Sequence, residues 1–324
     1  MEVAPTISQK SAAFDVFLGQ IQSQLPRINR HCEGTLLPCV RWVFPHDWFA
    51  DTAVISRLVG ELQSSSCLSI AYLERPGDYA GIELAGDDLS ALQSILSAWP
   101  GTETLAVSQP LPQLTQAGLL VMDMDSTAIQ IECIDELASM AGIGAQVAEV
   151  TERAMQGELD FEQSLRLRVS LLAGARAEII DALCQQLPLT PGLTLLCQTL
   201  QANGWKLVLA SGGFTPFVQY LQQALQLDAA FANQLEIIAG KLTGHVTGDI
   251  VDAQCKAQVL LRCATQWHIA SGQRLAIGDG ANDIPMLMAS DFGIAFHAKP
   301  ALNAIASAKI GILDLQTLLF WLRK

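Results

Sequence analysis

Three short apolar runs, GLLVMD at 118–123, WKLVLAS at 205–211 and RLAIGD at 274–279, each end in a cluster of small or acidic residues and are separated by helical patterns. An apolar run of this length bounded by turn chemistry reads as a strand, and strands alternating with helices read as a mostly parallel sheet covered on both faces. This places the chain from about residue 118 onward in the α/β, Rossmann-like class. It also says where a ligand would sit, because loops and helix amino termini converge beyond the carboxyl ends of such strands.

Between the first and second runs lies a long helical stretch, about Glu132 to Gln186, without a strand pattern. It reads as a helical cap, about 132–190, inserted into the sheet domain. The segment LEIIAGKLTGHV reads as a hairpin with its turn at Gly240 and Lys241. Upstream the pattern differs. Residues 1 to about 30 are polar, with one helix around Phe14 to Gln24 ended before Pro26. From Leu36 come a strand (LLPCVRWVF), a helix (Thr52 to Gln63), two strands (CLSIAYL and YAGIELA), a helix (Leu89 to Trp99) and a last strand (ETLAV). That β-α-β-β-α-β order matches an α+β, ferredoxin-like unit. The stretch SQPLPQLTQAG at 108–118 reads as the linker. Two domains are expected, 1–110 and 118–324.

A chain of 324 residues that is 50% hydrophobic can bury a large core. Its net charge of −13 disfavours nucleic acid and anionic membranes, and no local basic patch reverses that balance. The opening MEVAPTISQKSAAFDVF lacks the basic and apolar segments of an export signal, and no apolar run reaches the length of a membrane span. Eight cysteines lie far apart without a Cys-x-x-Cys pair, as expected of reduced thiols in a cytoplasmic protein.

The strand ends carry the chemistry: Asp123, Met124, Asp125, Ser126 and Thr127 after the first; Ser211, Gly212 and Gly213 after the second; Asp279, Gly280, Ala281, Asn282 and Asp283 after the third. Two acids in a D-x-D commonly cap a turn. Asp123, however, follows a strand buried on both faces, so its carboxylate needs a cation or strong donors, and Asp279 poses the same difficulty. Converging carboxylates repel, and a hard divalent ion with oxygen ligands relieves that repulsion; Mg2+ suits a site that also takes waters and phosphate oxygens. Ser-Gly-Gly joins a strand to a helix announced by Thr215 and Pro216, and serves equally a loop needing flexible glycines or an anion held by backbone N–H groups. Lys256 stands in the first turn of a helix beginning near Asp252 or Ala253, where the dipole disfavours a cation, so it reads either as solvated surface or as a phosphate ligand. Phe161, Leu165, Arg168 and Leu172 fall at i, i+4, i+7 and i+11, which puts Arg168 on an apolar stripe. Spacing alone slightly favours an arginine that snorkels or pairs internally over one awaiting an anion. Arg166 points elsewhere, and Glu132 suits a helix start for purely local reasons. Asp283 replaces the third glycine of a dinucleotide fingerprint, which excludes that reading of GDGANDIPM.

DMDST, SGGF, Lys256 and GDGAND, in this order and on these elements, resemble the haloacid dehalogenase superfamily, and ECIDELA, AMQGELDFEQSLRLRV, ASGGF and AIGDGANDIPM are similar to its phosphoserine phosphatase family. The resemblance spans residues 119 to about 300. It implies a haloacid dehalogenase-type sheet with an inserted cap and magnesium-dependent hydrolysis of O-phosphoserine through an aspartyl phosphate, the last step of serine biosynthesis. The same chemistry on phosphothreonine or phosphohomoserine is the alternative. By the same resemblance, Asp123 is the nucleophile and Asp125 the general acid and base. Asp123, the main-chain carbonyl of Asp125, and Asp279 hold Mg2+, supported by Asp283. Ser211, Gly212, Lys256 and Asn282 bind the phosphoryl group, Glu132 and Arg168 receive the serine ammonium and carboxylate, and Met155 and Phe161 line the cap side. For the amino-terminal domain three roles stand open: regulation, dimerisation as a homodimer, and simple packing.

Overall fold

The computed structural model describes residues 6–63 and 68–324. The first five residues, and Cys67 at the head of the expected second strand, lie outside the described residues. Two compact units emerge. One gathers residues up to Gln116 together with Pro191–Asn203 and Ala308–Lys324; the other comprises Ala117–Thr190 and Gly204–Ser307.

The first unit contains β1 (Ile28–Arg30), β2 (Cys39–Pro45), β3 (Leu68–Tyr72), β4 (Tyr79–Gly86) and β5 (Glu103–Val107), in the order β1-β3-β4-β2-β5. The β3-β4, β4-β2 and β2-β5 pairs are antiparallel, and α2 (Thr52–Leu62) and α3 (Leu89–Ser97) follow β2 and β4. This is the order of a split β-α-β unit. Strand β1, in the stretch expected to be merely polar, adds a parallel edge beside β3. The expected first helix is longer than the sequence pattern suggests. Thr6 and Gln9 form a capping box, so α1 starts at Ile7 and runs to Gln24. Phe14, Phe17, Trp42, Phe44, Phe49 and Trp99 fill the core.

The carboxyl-terminal segment, which the sequence pattern attaches to the second domain, is built into this first unit through buried polar groups. Glu103 accepts the N–H groups of Gly311, Ile312 and Leu313. Arg41 donates to the carbonyls of Phe320 and Leu322, both at 2.6 Å, and Arg75 to those of Leu319 and Leu322. The charge of Arg41 is matched by Glu83 and Glu33, each at 3.1 Å, and Arg75 pairs with Glu33. The segment includes β12 (Ala308–Ile310) and a 3-10 turn at Leu315–Trp321; α8 (Leu193–Ala202) belongs to the same unit.

In the second unit the strands β6 (Leu119–Met122), β7 (Lys206–Phe214), β8 (Ala229–Ile238), β9 (Lys241–Thr247), β10 (Arg274–Gly278) and β11 (Phe292–Phe296) run in the order β11-β10-β6-β7-β8-β9. All pair in parallel except the β8-β9 hairpin. The hairpin turn is Ala239–Gly240, one residue earlier than expected. Both residues have positive φ, 52° and 73°, as a two-residue turn that follows the strand twist requires. Helices α4 (Cys133–Met140), α5 (Gly144–Met155), α6 (Phe161–Leu171) and α7 (Glu178–Cys184) follow β6, and α9 (Thr215–Leu225), α10 (Ala253–Gln266), α11 (Ile284–Ala289) and α12 (Pro300–Ile305) lie between or after the later strands. Among the described residues no helix is long and apolar enough to cross a membrane.

Candidate active site

The central strands β10, β6 and β7 pair in parallel, so their carboxyl ends deliver Asp279, Asp123 and Ser211 to the same edge of the sheet. A cavity of about 420 Å³ opens there. Its floor carries Asp123, Asp125, Ser211, Gly212, Asp279 and Asn282, and its cap side carries Glu132, Met155, Phe161 and Arg168. Met155 stands at the rim, 76% exposed. Lys256 and Asp283 are not in the wall; they are buried beneath it, at 1% and 0% exposure.

Asp123 caps the turn that follows β6, accepting the N–H of Met124 at 2.7 Å. That turn, Met124–Ala128, is an irregular single-turn π element, a form frequent at functional sites. Within it Ser126 takes a left-handed conformation (φ 57°), uncommon for a residue with a side chain. Its hydroxyl donates to Glu132 Oε1 at 2.8 Å. The Asp125 carboxylate accepts the Cys133 N–H at 3.2 Å. Burial above all, and then the charges of Glu132 and Asp123, push the Asp125 carboxyl up to about 8. Its protonated form is therefore favoured well beyond that of an ordinary aspartate. Burial also raises Glu132 and Asp279, and the Asp123 charge adds to both.

Lys256 Nζ bridges Asp123 Oδ1 at 2.7 Å and Asp283 Oδ1 at 2.8 Å. Burial by itself lowers an ammonium pKa, but the two carboxylates overcome it and hold Lys256 above its ordinary value. Its helix starts at Ala253 with Asp252 as the cap, accepting the Cys255 N–H at 2.8 Å, so Lys256 does stand in the first turn, against the dipole. Solvated surface is excluded as its role. Asp283 also accepts the Gly280 N–H at 3.2 Å, and burial pushes its carboxyl up.

Oxygens of Asp123, Asp279 and Asp283 lie within 4.8 Å of one another. One buried ammonium cannot balance three carboxylates, and the donor set is all oxygen, so these residues fit a hard divalent cation.

Opposite chemistry marks the cap. Arg168 forms no ion pair among the described residues and donates only to the Ser164 carbonyl, at 3.4 Å. Burial lowers its pKa while Asp135, Glu132 and Asp125 hold it up, so a partly buried guanidinium faces the cavity with its fork unmatched. Spacing alone slightly favoured an arginine that snorkels or pairs internally; of these, the internal pair is not found among the described residues. Arg166 instead pairs with Glu162 at 2.7 Å on the exposed side of α6. Asp135, Thr151 and Lys299 also line the cavity without having been singled out in the sequence. An acid in the first turn of α4 is ordinary, and Lys299 follows β11, a strand the run pattern does not announce. Its N–H donates to the Asp279 carbonyl at 3.1 Å.

Close approach explains one glycine. A Cβ at Gly213 would lie 2.9 Å from Asp125 Oδ2 and 3.1 Å from Ser211 Oγ.

A haloacid dehalogenase-like hydrolase family model matches residues 120–288. A phosphoserine phosphatase of Vibrio cholerae serotype O1 is 56% identical over 202 residues, which make up 62% of this chain and 62% of that relative. The phosphoserine phosphatase of Idiomarina loihiensis is 50% identical over 64% of this chain and 94% of its own. Among solved structures, an unliganded probable phosphoserine phosphatase from Vibrio cholerae superposes with a TM-score of 0.76 at 40% identity, covering 96% of this chain and 92% of that one. With its parallel sheet, inserted cap and acid-bearing strand ends, the chain belongs to the haloacid dehalogenase-like hydrolases, in their phosphoserine phosphatase branch.

Proposed function

We propose that this chain hydrolyses O-phosphoserine to serine and inorganic phosphate through an aspartyl phosphate on Asp123, the closing reaction of serine biosynthesis. The observation that carries the reading is the pairing, two residues apart on one turn, of Asp123 held against Lys256 at 2.7 Å with an Asp125 carboxyl pushed up to about 8. A nucleophile must be anionic and a general acid must be protonated, so a carboxylate held against a buried ammonium suits the first role and a carboxyl raised by burial the second. Asp123 attacks phosphorus in line; the P–O bond to the seryl oxygen breaks, and Asp125 gives that oxygen its proton. Asp125, now a carboxylate, takes a proton from the water that cleaves the acyl phosphate. Ser211, the Gly212 N–H and Asn282 receive the phosphoryl oxygens, and Lys256, from beneath the wall, adds its positive charge to their binding. Mg2+ is the cation we assign to Asp123, the Asp125 carbonyl and Asp279, with Asp283 behind them; when bound it neutralises charge on the phosphoryl oxygens.

Glu132 and Arg168 supply the specificity, one for an ammonium and the other, bidentate, for a carboxylate. The cavity, at about 420 Å³, is of a size for a small metabolite. Met155 and Phe161 close its cap side. A cytoplasmic setting belongs to the same proposal, supported by seven unpaired cysteines among the described residues. The test is phosphate release from O-phospho-L-serine with and without chelation, together with Asp123→Asn. Release that survives chelation, or an Asp123→Asn variant that keeps near-normal turnover and forms no acyl phosphate, refutes the route.

A further inference from the structure

One buried amide is hydrogen-bonded to both segments that would hold the phosphoryl group. Asn233, on β8, has no exposed surface. Its Nδ2 donates to the Gly212 carbonyl at 2.8 Å, and its Oδ1 accepts the Val251 N–H at 2.8 Å. Val251 immediately precedes Asp252, the cap of the helix whose first turn presents Lys256. Gly212 lies where the β7-β8 ladder is interrupted: pairing runs to Ala210 and resumes at Phe214, opposite Asn233. The interrupted stretch must find other partners for its main-chain groups.

The Gly212–Gly213 peptide is planar, so fixing its carbonyl fixes its N–H. That N–H donates to Ser211 Oγ at 2.9 Å. Since the Ser211 oxygen is already an acceptor there, its own proton is free for another acceptor. The hydroxyl of Thr215 donates to the Asn233 carbonyl at 3.0 Å, steadying the residue from its main-chain side.

We infer that Asn233 is a positioning residue for phosphoryl recognition. It orients the Ser211 hydroxyl through the Gly212–Gly213 peptide and sets the spacing between that turn and the Lys256 helix. Only a side chain with a donor and an acceptor on one short stem does both; aspartate could serve Val251 but not the Gly212 carbonyl. The inference rests on the reading of the cavity as a phosphatase site.

The experiment is calorimetric titration of the full chain with inorganic phosphate and, separately, with L-serine, each in the presence of Mg2+. It is run on the parent and on Asn233→Ala, Asn233→Asp and Asn233→Ser, below the melting temperature of each. Loss of a well-placed hydrogen bond to a charged ligand weakens its binding by about 10- to 100-fold. Phosphate affinity should fall by that much in every folded variant while L-serine affinity, which depends on Glu132 and Arg168, stays unchanged. Parallel loss of both ligands, an unchanged phosphate affinity in any folded variant, or a parent that takes up no phosphate overturns the inference. A parent that binds phosphate but does not turn over O-phospho-L-serine sinks the substrate assignment and leaves Asn233 in its role.

Discussion

Replacing Lys256 by methionine isolates the electrostatic centre of the site, because the stem is kept and the ammonium is lost. In the parent, that ammonium lies 2.7 Å from one carboxylate oxygen and 2.8 Å from another, with Lys256 1% exposed. At an effective dielectric of about 20, a unit charge pair at such a separation attracts by about 6 kcal/mol, most of which offsets the desolvation of the buried groups. Removing one partner leaves the carboxylates buried and uncompensated, at a net cost of about 3–5 kcal/mol. For a unit of this size that corresponds to roughly 6–20 °C in melting temperature. Thermal unfolding followed by near-ultraviolet circular dichroism in chelator should show this loss at neutral pH. The deficit must shrink on acidification. A carboxyl raised on folding is stabilising when protonated, so the penalty fades as pH falls toward the unfolded value and grows as pH rises through the folded one. Added Mg2+ should stabilise the variant more than the parent, since it finds carboxylates with no competing ammonium. Turnover should drop about 10²–10³-fold. A variant that melts like the parent in chelator at neutral pH, or whose deficit is independent of pH, would refute the claim that Lys256 balances Asp123 and Asp283.

Arg168→Ala should cost O-phospho-L-serine hydrolysis about 100-fold or more while sparing an activated aryl phosphate, because only the former has a carboxylate to lose; equal losses on both substrates would remove Arg168 from recognition. In chelated protein the Asp125 carboxyl should titrate near 8, as followed by carbon NMR, and Glu132→Gln should move it downward by removing one of the charges that raise it. An Asp125 that titrates in the ordinary carboxylate range without a cation contradicts its assignment as the acid. Arg41→Met removes the guanidinium from which Glu83 and the carbonyls of Phe320 and Leu322 accept, leaving Leu322 only Arg75 and Glu83 only the Gly34 N–H and His31; a loss of about 3–5 kcal/mol from the first unit is expected. Residues 308–324 should then become the first point of proteolysis, and an unchanged cleavage pattern would count against it.

Much of the second unit was legible because a buried parallel strand is an uninterrupted apolar run, and β6, β7 and β10 are such runs. What escaped was short or conformational. Strand β1 has only three residues, and the hairpin turn depends on Ala239 adopting a backbone (φ 52°) that its composition does not signal. The convergence of Asp123, Ser211 and Asp279 followed from strand ends alone. Lys256 and Arg168 could not be decided from sequence, since both questions concern partners far along the chain: Asp283 pairs with the lysine, and among the described residues the arginine forms no ion pair. The attachment of the last residues to the first unit was illegible for the same reason. Glu103 and the N–H groups it receives are 208 to 210 positions apart, beyond any local pattern.

That attachment has a consequence for biosynthesis. As the polypeptide leaves the ribosome, the first unit emerges early with Glu33 and Glu83 for its two arginines but lacks their carbonyl acceptors, and the donors for Glu103, until residues 311–322 have been made. Until then the two guanidinium groups keep part of their hydration, so the core of this unit is completed only with the last of these residues. Completion of the half translated earlier is thereby tied to the end of synthesis.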